Sequence, residues 1–243
     1  MRYMGGKSRQ SIAISKVLGQ HMDEDTIYVE PFCGALGSAS RVVRENRPKK
    51  AIFSDICAPL IELWIQCYYK GTDWLPDGCD RETHERYRRE YRLTDPLAAY
   101  YLFGFSYGGD FHGGFIDPKH AGHPKNGIAR KMRWMHEGGS EVEFYWSSYQ
   151  DLYIPDGSVV YCDPPYQDRK KHHDFDEEFN YREFWQWVRE LSTRCVCVTS
   201  CFECPEDFET VYSWGDTVVR PHNLKEEQNH NIGVEKLVMW KEA

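Results

Sequence analysis

The sequence predicts a doubly wound α/β fold, and three stretches carry the prediction. Residues 158–166, SVVYCDPPY, read as a short buried strand that runs into the turn Asp163-Pro164-Pro165-Tyr166. The run is β-branched and aromatic, as a parallel strand buried on both faces should be. Residues 29–37, VEPFCGALG, read as a strand end, a glycine turn and a helix start, and residues 50–55, KAIFSD, as a second strand that ends in an acid. Strands then alternate with helices, the order of a parallel sheet covered by helices.

The elements follow in chain order. After Gly5-Gly6, residues 8–18 place Ile12, Ile14, Val17 and Leu18 at helical spacing. Residues 26–32 (TIYVEPF) are the first strand, and the turn at 33–38 opens a helix over 36–45, before Pro48. Leu60, Leu63, Trp64 and Cys67 mark a helix over 59–69. Between 70 and 140 the character changes: 81–92 is highly charged, 96–105 apolar, and 106–115 (SYGGDFHGGF) rich in glycine and aromatics. No parallel strand shows there. The region is expected as a mainly helical insertion with a mobile loop, leaving 1–69 and 141–243 as one α/β domain. Strand patterns return at 142–146, 159–162, 195–199, 217–220 and 234–240. The helix after the DPPY turn starts at Asn180 as N-cap, with Glu183 three residues on and Phe179 and Phe184 set as a hydrophobic staple. Phe184, Trp187, Val188 and Leu191 form its apolar face.

Composition narrows the setting. A chain of 243 residues holds one large domain, or one domain with an insertion. No apolar run reaches the ~18 residues of a membrane span. Residues 1–7 lack the apolar core of a signal peptide. Nine cysteines, an odd number without framework spacing, indicate free thiols and a cytoplasmic location. Cys195-x-Cys197 and Cys201-x-x-Cys204 lie close enough to suggest zinc. The first pair falls on one face of a buried strand, however, where free cysteine is common, and no metal is expected.

The DPPY turn has a definite chemistry. Two prolines end the strand and remove two backbone donors, leaving carbonyls beside the Asp163 carboxylate and the Tyr166 ring. Such an acceptor-rich pocket with a stacking face fits an exocyclic amine on a flat ring. The glycine turn supplies a second half. Gly34-x-x-Gly37 lets backbone pass close to a ligand, and Asp55 follows Gly37 by 18 residues. In dinucleotide-binding folds an acid about 20 residues past the turn accepts bonds from ribose hydroxyls. Asp55 could equally cap the helix that follows it. The full G-x-G-x-x-G is not present, so a nucleoside without a pyrophosphate fits, and S-adenosylmethionine is one.

Taken together, Tyr3-Met4-Gly5-Gly6-Lys7, Glu30–Ser38, Ser54-Asp55-Ile56, Asp163-Pro164-Pro165-Tyr166 and Glu235-Lys236-Leu237-Val238 resemble the Dam-type DNA adenine N6-methyltransferases of bacteria and phages. The resemblance covers most of the chain outside 70–140. It implies a Rossmann-like S-adenosylmethionine-dependent methyltransferase fold, with 70–140 as an inserted target-recognition region. Tyr3 and Lys7 would contact S-adenosylmethionine, Phe32, Gly34 and Gly37 would shape its pocket, and Asp55 would hold its ribose. Asp163, itself near the cofactor, and the Pro164 carbonyl would accept bonds from the adenine amine. Pro165 completes the turn and Tyr166 would stack on the flipped base. Two departures stand out. Ser148-Tyr149 replaces an acid–aromatic pair that contacts the cofactor in the family, and Cys57 replaces a frequent Asn.

A net charge of −8 argues against a nucleic-acid partner, but cations gather locally. Lys119, Lys125, Arg130, Lys131 and Arg133 cluster in the insertion, and Arg169 and Lys170 follow the DPPY turn. One basic surface around the pocket mouth, facing double-stranded DNA, is expected. A monomer or weak dimer is expected, and a cognate restriction endonuclease is a candidate partner. Two competing readings remain open: the same chemistry on cytosine N4, RNA adenine or protein glutamine, and a DNA-binding relative without turnover.

Overall fold

The computed structural model describes residues 1–166, 179–215 and 234–241. The elements are α1 (Ser11–Gly19), β1 (Ile27–Glu30), α2 (Ala39–Asn46), β2 (Lys50–Asp55), α3 (Ala58–Lys70), α4 (Arg81–Arg89), α5 (Pro96–Gly104), α6 (Pro118–Ala121), α7 (Pro124–Gly138), β3 (Glu141–Trp146), β4 (Val159–Cys162), α8 (Tyr181–Ser192), β5 (Val196–Cys201), β6 (Phe208–Ser213) and β7 (Lys236–Trp240).

The strands form one sheet in the order β3-β2-β1-β4-β5-β7-β6. The pairs β3–β2, β2–β1, β1–β4 and β4–β5 are parallel, and β7 runs antiparallel between β5 and β6. The chain winds outward from β1 to β3, then returns to β4 and winds the other way. The order therefore reverses between β1 and β4, and open α/β sheets hold their ligands beyond the carboxyl ends of the strands at such a point. The glycine turn leaves β1 there and Asp163 leaves β4 there. The Rossmann-like α/β fold is the one the sequence predicts.

Alternation along the strands divides the core. Val29, Ile52 and Val160 pack with Phe184, Val188 and Leu191 of α8. Tyr28, Phe53 and Tyr161 face the other side, with Ile14, Val42, Trp64, Leu102 and Met132 from α1, α2, α3, α5 and α7. Most of the helical layer between β2 and β3 thus shares the core of the sheet. Asn180 caps α8 by accepting the Glu183 N–H at 3.2 Å, and the Phe179 and Phe184 rings stand 5.5 Å apart, as the staple predicts.

Several elements differ from expectation. The helix read over 36–45 begins only at Ala39, because Leu36 holds φ +54° and extends the turn. The strand read over 217–220 lies outside the described residues. The strand that reading missed, β6, is an edge strand with only Phe208 buried, so it shows no apolar alternation. The 106–115 stretch, expected as a mobile loop, is closed on itself. Ser106 and Phe115 form a bridge, and the Tyr107 N–H donates to Gly114 O at 2.9 Å. It also rests on the N-terminus. The Met4 N–H donates to Gly109 O at 3.2 Å, and a Cβ on Gly109 (φ +70°) would lie 2.6 Å from Tyr3 N.

All nine cysteines are free thiols, eight of them buried. Among the described residues, no three His, Cys, Asp or Glu side chains group to hold a metal. Among the same residues, no helix is long and apolar enough to cross a membrane.

Candidate active site

The glycine turn after β1 is shaped by backbone packing. Gly34 holds φ +44°, and a Cβ there would meet the Tyr3 ring at 3.0 Å. A Cβ on Gly37 would lie 3.0 Å from the backbone nitrogens of both Lys7 and Ser8. The N-terminal segment therefore crosses directly over the turn, and a side chain at either position would push it away. Tyr3 also packs on Phe103, with ring centroids 4.9 Å apart.

The turn is braced from beneath. Asp55 Oδ2 accepts the Gly34 N–H at 2.9 Å, and Asp55 Oδ1 accepts the Cys57 N–H, also at 2.9 Å, at the start of α3. The Asp55 carboxylate thus ties the glycine turn to the chain that enters α3, where Cys57 is the N-cap. Trp64 Nε1 donates to Gly34 O at 2.9 Å, and the Lys131 ammonium donates to Ala35 O.

The second half of the site forms around Asp163. Three groups converge on its Oδ1: Lys7 Nζ at 2.8 Å, Ser200 Oγ at 2.7 Å and Tyr166 Oη at 3.2 Å. Among the described residues Oδ2 has no such partner. The Lys7 side chain is only 4% exposed and Asp163 18%. Lys7 also donates to Gly5 O at 3.0 Å and lies 4.7 Å above the Tyr166 ring. The Pro165 carbonyl accepts the Tyr181 hydroxyl at 2.8 Å, whereas among the described residues the Pro164 carbonyl takes no protein donor.

Tyr166 is held at both its hydroxyl and its ring. Its hydroxyl turns inward to Glu235 Oε1 at 2.6 Å, and its ring meets Phe202 edge-on at 4.9 Å. Burial, and then the charges of Asp163 and Glu235, push the phenol well above its ordinary pKa. A second carboxyl lies deeper. Burial raises Glu30, at the end of β1, to about 8, and it accepts the Tyr28 hydroxyl.

Phe32 and Tyr149 face each other at 5.3 Å and form one aromatic cluster with Phe179 and Phe184. Ser148 Oγ donates to Asp151 Oδ2 at 2.7 Å, so an acid does stand at this loop, three residues beyond the position the family pattern suggests. Glu30, Ser200, Gln10 and Glu235 join the site without having been singled out as site residues. Glu30 and Glu235 had a sequence signal, each as the first residue of a quoted motif.

Among the described cations, Lys131 does not face the solvent as a basic surface requires. Lys131 must be corrected, because it is 5% exposed, with its ammonium under the glycine turn, and burial lowers its pKa to about 8. Lys125 ties α7 to the 73–77 loop, through Leu75 O at 2.9 Å and Asp77 at 2.9 Å. Lys119 and Arg133 are exposed beside Asp117 and Glu137. Arg130 joins Arg41 and Arg44 of α2 around Trp134, at 5.5, 5.1 and 5.0 Å from its ring. Arg169 and Lys170 lie outside the described residues.

Comparison with known proteins adds the following. No curated protein matches the chain. Among solved structures it is similar to an rRNA methylase from Streptococcus thermophilus, at 8% identity and TM-score 0.41 over 94% of each chain. It is similar to HI0767 from Haemophilus influenzae, a candidate methylase, at 11% identity and TM-score 0.37 over 96% of this chain and 98% of that one. A third, SMU.472, a candidate methyltransferase complexed with SAH, shows 13% identity and TM-score 0.35 over 98% of this chain and 53% of that one. At these scores the fold assignment rests on the strand order. The segment that carries Tyr3, Lys7, the glycine turn and Asp55 is more specific: residues 3–94 match the family model of the D12 class N6 adenine-specific DNA methyltransferases.

Proposed function

We propose that this protein transfers a methyl group from S-adenosylmethionine to N6 of an adenine flipped out of DNA. The observation that carries the reading is the arrangement of Asp163. Its Oδ1 is held by Lys7 and Ser200, while Oδ2 and the Pro164 carbonyl have no protein donors among the described residues. An amine has two N–H groups, and this turn offers two acceptors.

The residues present fit the cofactor. Gly34 and Gly37 let the segment that carries Tyr3 and Lys7 lie directly against the turn, and Asp55 braces the turn from the next strand. Tyr3, Lys7, Phe32, Gly34, Gly37, Asp55 and the Ser148-Tyr149 loop would hold it. When bound it supplies an electrophilic methyl on a sulfonium.

The chain's own groups do the rest. Adenine N6 is a weak nucleophile because its lone pair is delocalised into the ring. Asp163 Oδ2 and the Pro164 carbonyl turn the amine towards tetrahedral geometry and stabilise the positive charge that develops on it. Lys7 compensates the half-buried charge of Asp163 and fixes its orientation, so that little reorganisation is needed at the moment of reaction. The adenine must leave the duplex to reach this depth. The match of residues 3–94 supports DNA adenine as the substrate. The 106–115 loop, seated on Tyr3 and Met4, links the proposed recognition region to the proposed cofactor segment.

The test is to supply labelled S-adenosylmethionine with unmethylated DNA, RNA or protein, and to identify the product by mass spectrometry. Label in N6-methyladenine from DNA is the expected result. Label in N4-methylcytosine, RNA or glutamine, or none in any, would overturn the substrate assignment.

A further inference from the structure

We infer that Glu235 is a positioning residue of the transfer site, holding the Tyr166 hydroxyl and part of the Lys7 ammonium so that the Asp163 carboxylate keeps its charge for the amine. The inference rests on the function proposed above and adds a residue to it.

Topology explains why Glu235 is there. β7 is the antiparallel strand, so it begins where its parallel neighbours end. Glu235 precedes its first residue and therefore reaches the carboxyl ends of β4 and β5, beside Asp163 and Ser200. The residue is 5% exposed. A buried carboxylate is costly unless paired, and this one is paired on both oxygens. Oε1 takes Tyr166 Oη at 2.6 Å and faces Lys7 Nζ at 3.4 Å, while Oε2 accepts Gln10 Nε2 at 3.3 Å.

The proton count gives Glu235 its role. A phenol has one proton to donate, and three acceptors surround Tyr166 Oη: Glu235 Oε1 at 2.6 Å, Asp163 Oδ1 at 3.2 Å and Ser200 Oγ at 3.4 Å. The closest is Glu235, and a hydrogen bond to a carboxylate is the stronger kind. The proton therefore points away from Asp163. With the charge at 235 removed, Asp163 is the carboxylate left beside the phenol among the described residues. The hydroxyl then donates to Asp163 Oδ1, drawing charge from the carboxylate whose Oδ2 serves the amine, and Lys7 shifts towards its remaining partner.

The experiment is a double-mutant cycle with Glu235→Gln and Tyr166→Phe in the full chain. It reads kcat, KM for DNA, cofactor affinity by calorimetry, and melting temperature. Glu235→Gln should lower kcat about tenfold or more while KM for DNA and cofactor affinity stay within about threefold. In the Tyr166→Phe background the same change should cost much less, because the group it acts through is gone. Unchanged kcat, a loss confined to KM or cofactor affinity, or additive losses in the double variant would overturn the inference. If the wild type methylates an amine other than DNA adenine, the substrate assignment fails and the cycle is read on that amine. If no amine is methylated, 3-fluorotyrosine at 166 gives the answer by 19F NMR. Its resonance should move on Glu235→Gln, and an unmoved resonance would overturn the inference.

Discussion

The ammonium of Lys7 lies 2.8 Å from Asp163 Oδ1, joining the first segment of the chain to the turn after β4. The same ammonium faces Glu235 at 3.4 Å, so one cation near the start of the chain serves two acids from its last third, Glu235 buried and Asp163 half-buried. Lys7→Met would leave both acids without that compensation. Removing one partner from such a pair typically costs roughly 3 kcal/mol or more. Urea unfolding should show a loss of this order. Stability within error of wild type would mean the acids find other partners.

Asp55→Ala removes the acceptor for two backbone N–H groups, those of Gly34 and Cys57. Each buried donor left unpaired costs roughly 1–3 kcal/mol. Both stability and cofactor affinity should fall, since the braced turn is also part of the proposed cofactor site. Lower stability with unchanged cofactor affinity by calorimetry would confine Asp55 to a structural role.

The local parts of the site were legible in the sequence and the tertiary parts were not. The glycine turn, Asp55 and the DPPY turn announce themselves because glycine, proline and strand-ending acids have backbone consequences within a few residues. Ser200 and Gln10 carry no such signal, since only the tertiary fold brings Ser200 to Asp163 and Gln10 to Glu235. β6 was hidden because an edge strand with a single buried residue has no alternation to read. Lys131, between Arg130 and Arg133, looks like part of a solvated charged face. Helical spacing told otherwise, because 131 falls in line with the buried Ile128 and Met135.

Glu30 gives stability a pH dependence with a definite sign. Burial raises its pKa from an ordinary 4.5 to about 8. Between those values the folded protein keeps a proton that the unfolded chain releases. This contribution is therefore fully present below about pH 4.5 and is lost as pH rises towards about 8. Glu30→Gln should flatten the dependence. Denaturant unfolding of both proteins at about pH 5 and about pH 8 measures it, and equal slopes would rule out Glu30 as the source.

Duplex affinity should depend on the α2–α7 seam. Arg130, Arg41 and Arg44 surround Trp134, and Arg133 is exposed one helical turn from Arg130. If Arg130 and Arg133 each contact a phosphate, replacing both with Ala lowers the slope of log affinity against log salt by about two. A slope unchanged by the double variant would move the DNA-binding face elsewhere.

The central claim is that Asp163 acts on the amine of a DNA adenine. The measurement is N6-methyladenine formed from S-adenosylmethionine on unmethylated DNA, for wild type and Asp163→Ala, with cofactor affinity measured on both. The account predicts product from wild type, a rate at least about 10²-fold lower in the variant, and cofactor binding that largely survives. Near-normal turnover by Asp163→Ala would contradict it.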